Sequence, residues 1–118
     1  MGVDNASPHP SGASAAALAQ EVERFVRQVG HWTPARWSAP AGGGGGTRAE
    51  LVHALVQRIA DRAADAEGEP RRRVPRLDND LVLPDQLRVV VADLVAAHPS
   101  EQVLAETTAD VNATRRAL

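Results

Sequence analysis

Proline and glycine divide this chain into four helix-length segments, and that punctuation constrains its fold more than any other feature. Gly30 and Pro34, Pro40 and the glycines at 42–46, Gly68 with Pro70 and Pro75, Pro84, and Pro99 separate stretches whose apolar residues recur every three or four positions. In the first stretch these are Leu18, Val22, Phe25, Val26 and Val29, with Glu23, Arg24, Arg27 and Gln28 on the other side. Ser11 or Ser14 can cap its start, and Gly30 can close it. The residues before it, 1–12, are polar or small with two prolines and read as a flexible arm, leaving 13–118 as one helical domain.

The second long segment opens on Thr47-Arg48-Ala49-Glu50, a capping box in which Thr and Glu each satisfy a backbone N–H that a helix start leaves free. Its stripe is Leu51, Val52, Leu55, Val56, Ile59 and Ala63, ending at Glu67-Gly68. Residues 41–47 read as a glycine-rich mobile loop. Residues 68–83 read as an irregular connection that crosses the helices, held by Val74, Leu77, Leu81 and Val82. Pro84 can begin the third helix, with Leu87, Val90, Val91, Leu94 and Val95 inward; Ser100 can cap a fourth, whose thinner stripe is Val103, Leu104, Thr107, Val111, Thr114 and Leu118. That last helix is expected to fray or to serve as an interface. The fold class that follows is all-α: a small antiparallel bundle of three long helices plus a C-terminal fourth, with a long irregular crossing segment.

At 118 residues the chain supports one domain. Of its 51 hydrophobic residues 22 are alanine, and Leu, Ile, Val and Phe number only 26, so a lone protomer has little to bury. Self-association, as a homodimer, or a second protein partner is therefore expected. A net charge of −2 gives no field toward nucleic acid or anionic membrane, and neither partner is implied. No apolar run approaches the roughly 20 residues that span a bilayer. The absence of lysine excludes Schiff-base chemistry, and the absence of cysteine excludes disulfides, thiolate nucleophiles and Cys-based metal sites, which fits a cytoplasmic protein. Abundant Ala, Arg, Gly and Pro with a single Ile are the usage of a GC-rich bacterial genome.

Four groups of residues are candidates for function. Trp32 and Trp37, both tryptophans of the chain, lie within seven residues beside Arg36 on a turn begun by Thr33-Pro34. Tryptophan with arginine is the composition of an interface or the wall of a ligand pocket, and equally of a plug that closes the end of a bundle poor in aromatics. His31, His53 and His98 lie on three different elements and could supply imidazole ligands to one metal. Arg71, Arg72, Arg73 and Arg76 could contact phosphate, although Asp78, Asp80 and Asp85 offset them, and a solvated loop paired with carboxylates is the simpler reading.

Glu50-x-x-His53 has the spacing of one half of a di-iron site, but no second copy exists and Glu50 belongs to the capping box. Asp78-Asn79-Asp80 lacks the glycine and closing glutamate of a calcium loop. The stretch from Trp32 through His53, tryptophans in a loop followed by a helix, resembles the start of DinB-like and mycothiol-dependent isomerase bundles. That resemblance, over about a fifth of the chain, implies a metal held by histidines from separate helices; no histidine pair at helical spacing follows here. The expected function is a non-enzymatic interaction or regulatory module that self-associates and carries no cofactor. The alternative is a bundle that binds a small molecule or metal.

Overall fold

The computed structural model describes residues 10–118. The arm expected over residues 1–12 lies outside the described residues up to position 9, and from Pro10 the chain is already helical. Four long helices form the bundle: α1 (Pro10–Val29), α3 (Arg48–Glu67), α4 (Leu83–Ala96) and α5 (Glu101–Ala117), with the short α2 (Pro34–Ser38) across one end.

Their boundaries follow local chemistry. Thr33 Oγ1 accepts from Arg36 N at the start of α2, and Ser100 Oγ from Val103 N at the start of α5. At α3 the capping box is complete: Thr47 Oγ1 accepts from Glu50 N (3.1 Å) while Glu50 Oε1 accepts from Thr47 N (2.8 Å). Gly68, at φ +70°, closes α3 in the left-handed conformation that favours glycine. A 3-10 turn, Asp80–Val82, leads directly into α4, with Pro84 in the first helical turn.

The senses of the helices come from their cross-links. Gly42 N donates to the Ala117 carbonyl and Gln28 Nε2 to that of Arg115, so α1 and α5 finish at the same end and run parallel. Arg48 of α3 donates to the Arg36 carbonyl of α2, and the turn preceding α4 packs on α2, so α3 and α4 both start at that end. Around the bundle α1 therefore lies between α5 and α4, and α3 between α4 and α5. The expected antiparallel sense holds for α1 with α4 and for α3 with α5. The pairs α1/α5 and α3/α4 are parallel, a correction to the sequence expectation.

The crossing segment is the cause. Its 12 residues, Gly68 through Asn79, retrace α3 toward its start: Arg71 meets Asp65, Arg72 and Val74 meet Gln57, and Val74 meets His53. A 20-residue helix is about 30 Å long, and 12 extended residues reach about 40 Å, so a shorter connection would have forced α4 to start at the other end. Of the side chains expected to hold this segment, Val74 packs against the core and Val82 is half-buried. Leu77 and Leu81 are exposed, at 45% and 46%, whereas the Gln57 amide accepts from Val74 N (2.8 Å) and donates to the Arg72 carbonyl (3.0 Å), in the manner of a neighbouring strand.

The core runs through Leu18, Phe25 and Val29 of α1, Val52, Leu55 and Ile59 of α3, Leu87 and Leu94 of α4, and Leu104 and Val111 of α5. Each such side chain contributes about 1.5–3 kcal/mol relative to exposure.

Candidate functional site

The tryptophan run sits where α1 ends and α3 begins. Trp37 is fully buried and Trp32 is 6% exposed; their rings meet edge to face with centroids 5.0 Å apart, a favoured geometry for aromatic pairs. The guanidinium groups of Arg36 and Arg48 lie 5.1 and 5.3 Å from the Trp32 ring centroid, close enough for its π face to attract both cations. Of the trio Trp32, Arg36 and Trp37, only Arg36 is exposed. The two rings thus act in packing, as the plug that shuts this end of the bundle.

The glycine run beside them is closed on itself rather than strung out as a tether. Ala41 N donates to the Gly46 carbonyl, Gly44 N to that of Ala41, and Arg48 N to that of Ala39. Gly46 has φ +108°, and a Cβ there would lie 2.6 Å from Glu50 Oε1, the oxygen that completes the capping box. Glycine at 46 is thus required by its backbone and by its neighbour.

The three histidines are not brought together. His31 is exposed past the end of α1, and His53 Nε2 lies 3.0 Å from the Val74 carbonyl oxygen. His98 is exposed beyond the end of α4 at φ +52°. It shares a surface hollow with Asp65 and Ala66, about 18 Å along α3 from His53 at 1.5 Å per residue. One mononuclear metal cannot span that distance with bonds near 2 Å. The metal set implied by the isomerase resemblance is thus not assembled.

The arginines of the crossing segment are partly committed to carboxylates. Arg71 forms a two-pronged pair with Asp65 (3.0 and 2.7 Å), whose carboxyl is held below the ordinary range by those hydrogen bonds. Arg76 pairs with Asp80 at 2.9 Å. Arg72 and Arg73 are exposed and have no carboxylate partner among the described residues. The Arg72 carbonyl is tied to Gln57, so the backbone is fixed while both side chains are solvated.

Sequence periodicity missed two ionic clusters, both on α5. Glu21 of α1 is 4% exposed and accepts from Arg115 Nε (3.0 Å) and Asn112 Nδ2 (3.2 Å). Burial pushes its carboxyl up, but the bonds from Arg115 and Asn112 outweigh that and leave it below the ordinary value. Asp110 receives Arg58 through Nε and NH2 (2.9 and 2.8 Å) and Arg62 at 3.1 Å. Burial raises its carboxyl too, and the two arginines again bring it below the ordinary range. Both clusters join helices, and Arg62 also borders the surface hollow at His98. They are fastenings.

What remains open to solvent is the seam between α1 and α4. From Val89 to Ala97, α4 carries one charge, Asp93, and α1 carries none from Pro10 to Gln20. A helix that is apolar on every side is ordinarily covered on every side. Here Val89 is 60% exposed, and Ala92 and Ala96 are exposed beside it. An open groove of about 460 Å³ follows, floored by Val22, Val91 and Val95, walled by Ala15, Ala19, Ala92 and Ala96, and bounded by Glu23 and Arg88. Its signal was present in the sequence as the run Val89-Val90-Val91-Ala92, of which only the inward half enters the core.

No family model, curated protein or solved structure matches this chain.

Proposed function

We propose that this protein is a non-enzymatic interaction module that self-associates through a helix face. The observation that carries this reading is the uncovered apolar surface of α4 and the first half of α1: Val89, Ala92 and Ala96 face solvent on a helix with a single charge in nine residues. A core limited to 26 larger aliphatic and phenyl side chains adds to it, because a second protomer supplies burial that one chain lacks. No helix of the described residues is long and apolar enough to cross a membrane; the cysteine-free composition supports a reducing compartment, the cytoplasm.

Sedimentation equilibrium over a wide protein concentration range tests the reading. A dimer is expected, dissociating when Val89 is replaced by Glu. Because Val89 is largely exposed, its replacement leaves the core of the protomer intact, which circular dichroism can verify. Leu77→Glu, on an exposed apolar residue flanked by Arg76 and Asp78, is the control and leaves the dimer in place. A wild-type mass that stays monomeric at every concentration refutes the proposal.

A further inference from the structure

The α1–α4 seam contains both halves of a contact with itself. A two-fold interface uses one patch twice, so that patch must hold a projection and its recess, and a cation and its anion. On α4, Val89 projects while Ala92 and Ala96 recede beside the groove. Arg88 and Asp93 flank these residues on opposite edges of the exposed face, about 140° apart around the helix. Asp93 has no ion-pair partner among the described residues, and Arg88 uses one nitrogen, NH2, on both oxygens of Glu23 (3.1 and 3.3 Å), leaving further donors free.

We infer that the occupant of this seam is a second copy of the chain, with α4 packed in register on the partner's α4 in parallel sense. Val89, Ala92 and Ala96, spaced three and four apart, then line the seam, and Val89 leans toward the Ala92 side of the partner. Arg88 on one edge meets the partner's Asp93, five positions on, on the facing edge; the two-fold axis repeats both contacts. Alanine at 92 and 96 lets the helices approach closely enough for Val89 to enter the groove. The other exposed apolar residues, Leu77 and Leu81, lie among Arg76, Asp78 and Asp80 and offer no such complement. An unrelated partner would have to supply both the recess and the opposite charges, which this patch already provides to its own copy.

The inference rests on the self-association reading, and a charge exchange separates the two. In sedimentation equilibrium, Arg88→Asp and Asp93→Arg each place like charges against each other twice per dimer, and each is expected to raise the dimer Kd by about tenfold or more. The double variant Arg88→Asp/Asp93→Arg reverses both signs and is expected to return Kd to within about threefold of wild type. Glu23→Gln removes the ion pair within the protomer and leaves Kd unchanged, so the loss in Arg88→Asp is assigned to the interface. A wild-type dimer indifferent to either single exchange, or a double variant no tighter than the singles, overturns this register and leaves self-association standing. A wild-type monomer overturns both.

Discussion

Helices α4 and α5 occupy diagonal positions in one bundle and are held by opposite means. α4 is apolar from Val89 onward except for Asp93; it sends Leu87 and Leu94 into the core and still leaves Val89, Ala92 and Ala96 outside. α5 has two fully or nearly buried aliphatic residues, Leu104 and Val111, with Thr107 and Thr114 between and beyond them. It compensates with Glu21–Arg115 toward α1 and Asp110–Arg58–Arg62 toward α3. A helix with a thin apolar stripe is thus the one fully engaged with its neighbours, and the helix with apolar surface to spare is the one left partly uncovered. The quantity of apolar residues on a helix does not say whether its partners are within the chain.

Three substitutions can break or sharpen that contrast. Leu94→Ala empties a fully buried site on α4 and is expected to cost about 2–5 kcal/mol, the range for cavities of this kind, measured by urea or thermal unfolding. Loss below about 1 kcal/mol would mean that α4 contributes far less than its burial implies.

Arg115→Leu tests α5. Removing one member of a buried pair costs roughly 3–5 kcal/mol; Arg115 keeps 23% of its side chain in solvent, so about 2 kcal/mol is expected at neutral pH. The pH dependence supplies an internal check. In the wild type the Glu21 carboxyl titrates below its ordinary 4.5, so its contribution is complete above that pH and is lost as pH falls through the folded value. In the variant, burial acts without its main counterweight and the carboxyl moves upward. The stability gap between the two proteins therefore narrows as pH falls from the variant's folded value through the lower one of the wild type. A gap independent of pH would mean that the arginine acts through packing alone.

Thr107→Val is the smallest. The Thr107 hydroxyl is fully buried but returns to its own helix, donating to the Val103 carbonyl at 2.7 Å. Removing donor and hydroxyl together leaves a carbonyl that still serves the helix ladder, so stability is expected within about 1 kcal/mol of wild type, in either direction. A larger loss would show that α5 depends on this hydroxyl as well as on its ion pairs.

Features encoded within a few residues were legible in the sequence. The capping box at Thr47 and Glu50, the Thr33-Pro34 start of α2, the Ser100 cap and the Gly68 stop each depend on atoms at most four residues apart. The sense of the helices was not, because it depends on how Gln57 and His53 receive a segment 15 to 21 residues away. Nor was the fastening of α5, since Glu21 meets partners 91 and 94 residues along the chain. Glu21, three residues after Leu18 and four before Phe25, sits at the edge of the apolar stripe, and the spacing that puts it there says nothing of its partners. For the candidate site, both alternatives for Trp32 and Trp37 were stated from sequence, and burial decides between them. The exposed apolar residues of α4 were signalled by the unbroken run Val89-Val90-Val91-Ala92, longer than one inward stripe can absorb.

The crossing segment also shapes the field around the molecule. Four helices of alternating sense would place a positive N-terminal pole beside a negative C-terminal pole at every corner. Here the starts of α3 and α4 are adjacent, as are the finishes of α1 and α5, so like poles stand side by side. The axial dipoles cancel over the whole bundle, two against two, yet each end is split into a positive half and a negative half. An ion approaching either end meets a sidedness that comes from the backbone alone, before any arginine or aspartate is counted.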